Sequence, residues 1–211
     1  MRRIPLFCLV VLLSCFGSSA ARAELVLGKT YEVLAPAQPV ETGDAIEVVE
    51  VFYFGCPHCY DAENSIGPWL KRLPADVTFR RMPAVFRSTW EPLARTYYTL
   101  LAVGEADRLV RPIFDTIHLD GLALSQEKVM ADYAARNGID RERWLSIYRS
   151  QEIGLKVLQA RDQAIRYKVQ GVPHYVVDGK YITSNIMAGG HDEAMVVINE
   201  LIEKARRERA K

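Results

Sequence analysis

The fold class this sequence predicts is α/β with a helical insertion, and three observations predict it. Residues Ile46–Phe54 form a β-branched and aromatic run that is apolar on both faces, as a central strand covered on each side requires. Helical periodicity takes over between Ser88 and about Lys168. The β character returns after Gly171-Val172-Pro173. A block of helices therefore sits inside a β-containing framework.

The first 23 residues stand apart from that fold. A short basic start (Arg2, Arg3), an apolar run from Ile4 to Phe16 and a small-residue close at Ala21-Arg22-Ala23 read as a secretory signal cleaved after Ala23. Leu12-Leu13-Ser14-Cys15 offers a lipoprotein signal as the alternative, although the Ala-x-Ala site follows at normal distance. No other stretch approaches the roughly 20 apolar residues of a membrane span, so a soluble exported product is expected. Cleavage removes 23 of 211 residues and leaves 188, enough for one domain with an insertion and a substantial core. It also removes three of 27 basic residues, leaving 24 against 26 acidic ones, a net charge of −2. No basic excess remains to point to a nucleic-acid partner.

In chain order, Thr30–Leu34 reads as a short strand stopped by Pro36 and Pro39. Ile46–Phe54 is the central strand and carries Glu50. Pro57 suits a first helical position, since its missing N–H is no loss there and its φ is already helical. A helix from Pro57 to about Arg72 follows, on the spacing of Tyr60, Asn64, Trp69 and Leu70, with a bend or break expected at Gly67-Pro68. Val77–Met82 alternates as a strand.

The helical block opens with the stripe Trp90, Leu93, Tyr97, Leu100 and Leu101, and a second stripe runs through Leu109, Ile113, Phe114 and Ile117. Ser125 is placed to cap a third helix that stops at Asn137-Gly138, and Asp140 to cap a fourth with Trp144, Ile147 and Tyr148 inward. Ile153–Val169 forms a longer helix leading back to the sheet. Strands at His174–Val177 and Lys180–Thr183 flank Asp178-Gly179, a pair favoured in tight hairpins. A last helix, Asp192–Arg206, buries Met195, Ile198, Leu201 and Ile202, and the Lys204–Lys211 tail is expected in solvent. The sequence thus divides into 24–87, a helical insertion over 88–165, and 166–211.

Of four cysteines, Cys8 and Cys15 leave with the signal. Cys56 and Cys59 remain, in Cys56-Pro57-His58-Cys59 at the start of a helix. A stabilising disulfide would span a long loop; a pair closed over two residues points to redox chemistry. The thiolate is the nucleophile, and a helix N-terminus favours that anion through unpaired N–H groups and a positive dipole end. Cys56 holds that position, and His58 can add positive charge beside it. Stabilising the thiolate stabilises the reduced protein and makes the disulfide a stronger oxidant, by roughly 30 mV for each unit of pKa below ambient pH. Cys59, one turn on, is the less exposed partner that closes the disulfide. A zinc site needs about four ligands, and His118, His174 and His191 lie at no paired ligand spacing to the cysteines.

With these residues the chain resembles the periplasmic thiol:disulfide oxidases of the DsbA family. Cys56-Pro57-His58-Cys59-Tyr60, the preceding Glu50-Val51-Phe52-Tyr53-Phe54, Gly171-Val172-Pro173 and Val177-Asp178-Gly179-Lys180-Tyr181 carry the resemblance, which follows element order through nearly all of the mature chain. It implies a thioredoxin fold interrupted by an all-helical domain. It implies a cis peptide at Val172–Pro173 beside the cysteines, with the Val172 backbone pairing to an extended substrate; the residues alone equally allow an ordinary turn before a strand. Glu50 matches the family's buried acid beneath the active site, a proton acceptor for Cys59, and is equally read as a strand acid paired with a base such as Arg81.

Further expectations are a periplasmic location, a monomer, no bound cofactor or metal, reduced unfolded secreted proteins as substrates, and reoxidation by a quinone-linked membrane oxidase of the DsbB type. The rival functions are a disulfide isomerase or reductase using the same pair, and a chaperone whose helical insertion holds unfolded chains. His174 departs from the small or apolar residue expected after Pro173; it is read as facing solvent, and His118 and His191 as surface residues. Trp90, Tyr97, Tyr98 and Trp144 are read as helical core, and some exposed apolar surface is expected near the cysteines to receive unfolded chains.

Overall fold

The computed structural model describes residues 23–210. All of the expected leader but its last residue lies outside them. Among the described residues no helix is long and apolar enough to cross a membrane.

Five strands form one sheet in the order β1-β5-β4-β2-β3. They are β1 (Glu32–Val33), β2 (Ile46–Phe52), β3 (Val77–Pro83), β4 (His174–Val177) and β5 (Tyr181–Ser184). β2 is central and wholly buried along its length, as its two apolar faces require. It pairs parallel with β3 and antiparallel with β4, and the parallel step is bridged by helix α1 (Pro57–Leu70). Asp178 and Gly179 take positive φ of 54° and 61°, which closes the β4–β5 hairpin as their sequence asks. β2 ends at Phe52 rather than Phe54, because the chain turns at Phe54-Gly55 to enter α1.

One face of the sheet, carrying Val48, Tyr175 and Val177, packs on Ala62 and Ile66 of α1 and on Ile198, Leu201 and Ile202 of α8 (His191–Arg209, numbered in chain order). The other face, with Val49, Val51 and Val176, packs on Ala160 and Ala164 of α6 (Gln151–Arg166). Between these layers in sequence come a 3-10 turn at Ser88–Trp90 and helices α2 (Glu91–Val103), α3 (Ala106–His118), α4 (Glu127–Arg136) and α5 (Arg141–Tyr148). Their core of Leu93, Leu100, Leu109, Ile113, Phe114, Met130 and Trp144 is continuous with Phe52, Phe54 and Cys59. The Cys56–Cys59 pair therefore lies where the sheet's end meets the helical core.

Several local expectations change. α1 runs through Gly67-Pro68 to Leu70 without a break. The last turn is held by packing: Trp69 Nε1 donates to Asn199 Oδ1 at 2.8 Å and the ring meets Phe79 edge-on. The buried stripe of α1 is Cys59, Ala62, Glu63, Ile66 and Trp69, and Asn64 is exposed. Leu101 is exposed, and Leu145 takes the buried place expected of Ile147. Ser125 falls in a turn one residue too early, so Gln126 occupies the N-cap of α4 without a side-chain bond. Asp140 does cap α5, accepting from Arg143 N at 2.7 Å. Ser150 and Ser184 cap α6 and the short α7 (Asn185–Ala188), which alternation and periodicity did not reveal. The C-terminal tail is helical to Arg209; Arg206 grips Asp76 with two bonds of 2.8 and 2.9 Å, and Arg209 pairs with Asp178.

Candidate active site

Cys56 is the N-cap residue of α1, and Pro57 fills the first helical position. The turn before it is tight. Cys56 N–H donates to Tyr53 O at 3.0 Å, and the Tyr53 ring lies over Gly55 so closely that a Cβ there would sit 2.5 Å from it. Only glycine fits beneath that ring. Cys59 N–H donates back to Cys56 O at 3.1 Å, which starts the helix.

The two thiols occupy unlike environments. Cys56 is partly exposed, whereas Cys59 is fully buried, packed with Phe52, Phe54 and Phe114; both are free cysteines, so the structure represents the dithiol. Across from them the Val172–Pro173 peptide is cis, and Cys56 Sγ lies 3.6 Å from Val172 O, a distance at which the protonated thiol donates to that carbonyl.

Cys56 is depressed to about 6. The Cys59 thiol, hydrogen-bonding to the Cys56 sulfur, is the largest cause; burial opposes it, and the backbone N–H groups of Cys59 and His58 assist. The charge of His58 is the smallest contribution, so the chain reaches this thiolate mainly through its partner cysteine and the helix terminus. His58 itself is exposed. Cys59 is displaced the other way, raised by burial first and then by its bond to Cys56 and the charge of Glu50. At pH 7 a thiol of pKa about 6 is roughly 90 % thiolate, while Cys59 keeps its proton.

Below Cys59 stands a buried acid–base–acid triple. Glu50 Oε2 accepts from Arg81 Nε at 2.8 Å, and the other arm of the same guanidinium reaches Glu63 Oε1 at 2.6 Å. Glu50 thus pairs with Arg81, as one of its two sequence readings has it, and its charge contributes to raising Cys59. Burial lifts Glu50 to about 7 against the pull of Arg81, with Glu63's charge adding to the rise. Among the described residues Glu50 Oε1 has no partner, nor has the hydroxyl of Tyr175, which faces Glu50 in register on β4.

Glu63, Tyr175 and His118 escaped the sequence reading. His118 is no surface residue: its Nε2 lies 2.8 Å from Phe54 O and its ring stacks on Tyr60, bracing the loop before Cys56. The i,i+4 spacing of Cys59 and Glu63 on α1 was the one signal available, because it places Glu63 on the cysteine's side of the helix. His174 is likewise partly buried, on the sheet face opposite Glu50, and burial lowers it. Beside Cys56, Tyr53 stacks on Trp90 with ring centroids 3.9 Å apart, and Phe86 lies tilted against Trp90 and is partly open to solvent.

Residues 47–197 match the family described as the DSBA-like thioredoxin domain. A thiol:disulfide interchange protein DsbA of Pseudomonas aeruginosa is 39 % identical over 206 residues, covering 98 % of each chain. One from Azotobacter vinelandii is 40 % identical over 190 residues, covering 90 % of this chain and 89 % of the relative. The crystal structure of Pseudomonas aeruginosa DsbA superposes with a TM-score of 0.83 at 40 % identity, over 87 % of this chain and 96 % of that one. The oxidoreductase DsbA from Xylella fastidiosa superposes at 0.81 with 29 % identity, over 89 % and 99 %.

Proposed function

The chain belongs to the DSBA-like thioredoxin domain family and is a protein disulfide oxidoreductase, and from that premise we propose that it is an exported dithiol–disulfide oxidase that donates a Cys56–Cys59 disulfide to reduced secreted proteins in the periplasm. The observation that carries this reading is the asymmetry of the pair: one partly exposed sulfur that favours the thiolate, one buried sulfur that favours the thiol.

In the proposed cycle a substrate thiolate attacks Cys56 Sγ, and the Cys56–Cys59 bond breaks as the new mixed disulfide forms. Cys59 leaves as a thiolate and takes up a proton, which Glu50, with a pKa of about 7, is placed to supply. A second substrate thiolate then attacks the substrate's own sulfur in the mixed disulfide, and Cys56 departs as a stabilised thiolate. The substrate leaves oxidised by two electrons and the protein is left as the dithiol. A Cys56 pKa about one unit below neutral pH favours that departure by roughly 30 mV. Val172, with its carbonyl beside Cys56, is proposed to pair with the extended substrate, and Pro173 to shape that edge; Tyr53, Trp90 and Phe86 are proposed as an aromatic ledge for its apolar side chains.

The proposal extends to a thioredoxin-like body of residues 24–87 and 166–211 around a helical insertion of 88–165, to a signal cleaved after Ala23, to a monomer, and to reoxidation by a DsbB-type quinone-linked membrane oxidase. The test is an equilibrium titration of the pair against glutathione buffers. A potential well above thioredoxin's about −270 mV is expected, with Cys56→Ser inactive and Cys59→Ser accumulating mixed disulfides. A thioredoxin-like potential, or full turnover in either variant, overturns the oxidase reading.

A further inference from the structure

The flank of the cysteine motif carries a second constellation that thiol exchange does not use. His58 and Asp61 stand three residues apart at the start of α1, on one face of the helix, and His191 is the first residue of α8. Each offers a ligand atom, and the three atoms lie within 4.8 Å of one another. Two imidazoles and one carboxylate suit a borderline transition-metal ion and ill suit calcium or magnesium, which take mostly oxygen. Three protein ligands with an open fourth position for water is a normal arrangement for zinc.

The surroundings agree with this use. His58 and Asp61 are exposed, leaving a path for an ion and its waters, while His191 is partly buried. The Nδ1 of His191 is itself buried with no hydrogen-bond partner among the described residues, so no contact there fixes the ring's tautomer through that nitrogen against ligation. Two helix N-termini meet here and their dipoles oppose a cation. Asp192 and Glu193, in the first turn of α8, offset that field along with Asp61. Ser65 Oγ donates to Asp192 Oδ1 at 2.5 Å, so the two helices that bear the ligands are already tied beside the site.

We propose that His58, Asp61 and His191 form a binding site for a divalent transition-metal ion, with Zn2+ as its representative, on the flank of the redox centre. Neither cysteine belongs to the ligand set. Occupancy places a divalent charge on a ligand two residues from Cys56 and makes His58 a residue shared between two functions.

The disulfide form of the mature protein is the form to test, because its cysteines have no thiolate to offer zinc. Calorimetric titration with Zn2+ is expected to show one site, and His191→Ala and Asp61→Asn should each weaken it at least about tenfold, since losing even an outer-shell partner of a metal ligand costs about 10–100-fold. Circular dichroism checks that both variants remain folded. Imidazole resonances of His58 and His191 should move on zinc addition, and those of His118 and His174 should not. Unchanged affinity in both folded variants, shifts at the other two histidines instead, or no saturable binding at submillimolar zinc overturns the proposal.

Discussion

Two glutamates lie buried on β2, three residues apart and so on opposite faces of the sheet, each paired with an arginine of β3, and they differ in how fully they are paired. Glu47 is fully answered: Arg80 reaches both its oxygens, at 2.8 and 3.3 Å, and Glu41 N–H donates to it at 3.0 Å. Glu50 is half answered, since Arg81 gives it one bond, spends the other arm on Glu63, and leaves Oε1 alone. The first arrangement closes a polar network within the fold; the second stores a proton near neutral pH. Glu50 is the one beneath Cys59. In the proposed cycle a buried carboxylate becomes chemically useful by sharing its one arginine with a second acid.

The largest effect expected is on the arginines. Arg81→Met leaves two buried carboxylates without a counter-charge and should cost about 3–5 kcal/mol of unfolding free energy in urea. Arg80→Met should cost less, roughly 1–3 kcal/mol, because Arg80 is more exposed and Glu47 keeps its backbone donor. Equal losses would erase the contrast between the two sites.

Next is pH. An acid whose folded pKa is raised contributes stability that is whole below its unfolded value and is lost as pH rises through the folded one. For Glu50 the window runs from 4.5 to about 7. The stability of the dithiol protein relative to Glu50→Gln should therefore fall by about 3 kcal/mol between pH 4.5 and 8. Comparing the two in the same redox state cancels Cys56, whose lowered pKa acts with the opposite sign. A difference that stays flat across that window would place Glu50's proton elsewhere.

How much of this was legible depended on distance along the chain. The Cys56-Pro57 helix start, the Asp140 cap and the Asp178-Gly179 hairpin are local patterns that appear where the residues place them, and the central strand does so but for its last two residues. Glu50 was singled out through the family resemblance, which matches it to a buried acid beneath the active site. Glu47, an equally apolar-flanked acid on the same strand, carried no such marker, and Glu63 drew no reading at all. The bond that joins Glu63 to Arg81 crosses from helix to strand over 18 residues. His118 reaches Phe54 over 64. Such contacts follow from how layers stack, which no window of sequence contains. The unbroken α1 has the same origin, because tertiary packing on Asn199 and Phe79 outweighs the local signal of Gly67-Pro68.

A smaller effect separates structure from chemistry. Glu47→Gln should lose roughly 1–3 kcal/mol through its weakened pairing with Arg80, with the rate and pH profile of Cys59 exchange unchanged. Glu50→Gln should alter that profile, read by alkylation of Cys59 in the Cys56→Ser background. A shift in the Glu47 variant would mean that the whole strand, and not one half-paired acid, tunes the buried thiol.

The smallest effect bears on the word half-paired itself. Tyr175 on β4 faces Glu50 on β2, fully buried, and its hydroxyl has no partner among the described residues. If both groups are unanswered, the hydroxyl is a desolvated dipole that contributes nothing, and Tyr175→Phe should leave stability unchanged or raise it by up to about 1 kcal/mol. Glu50 would then keep its pH window. Were the hydroxyl instead to reach Glu50 Oε1 through a bridging water, its removal would destabilise the charged carboxylate. Stability would drop most above pH 7 and the window would move upward. The sign of this one substitution thus decides whether Glu50 is tuned by the partner it lacks or by one that water supplies.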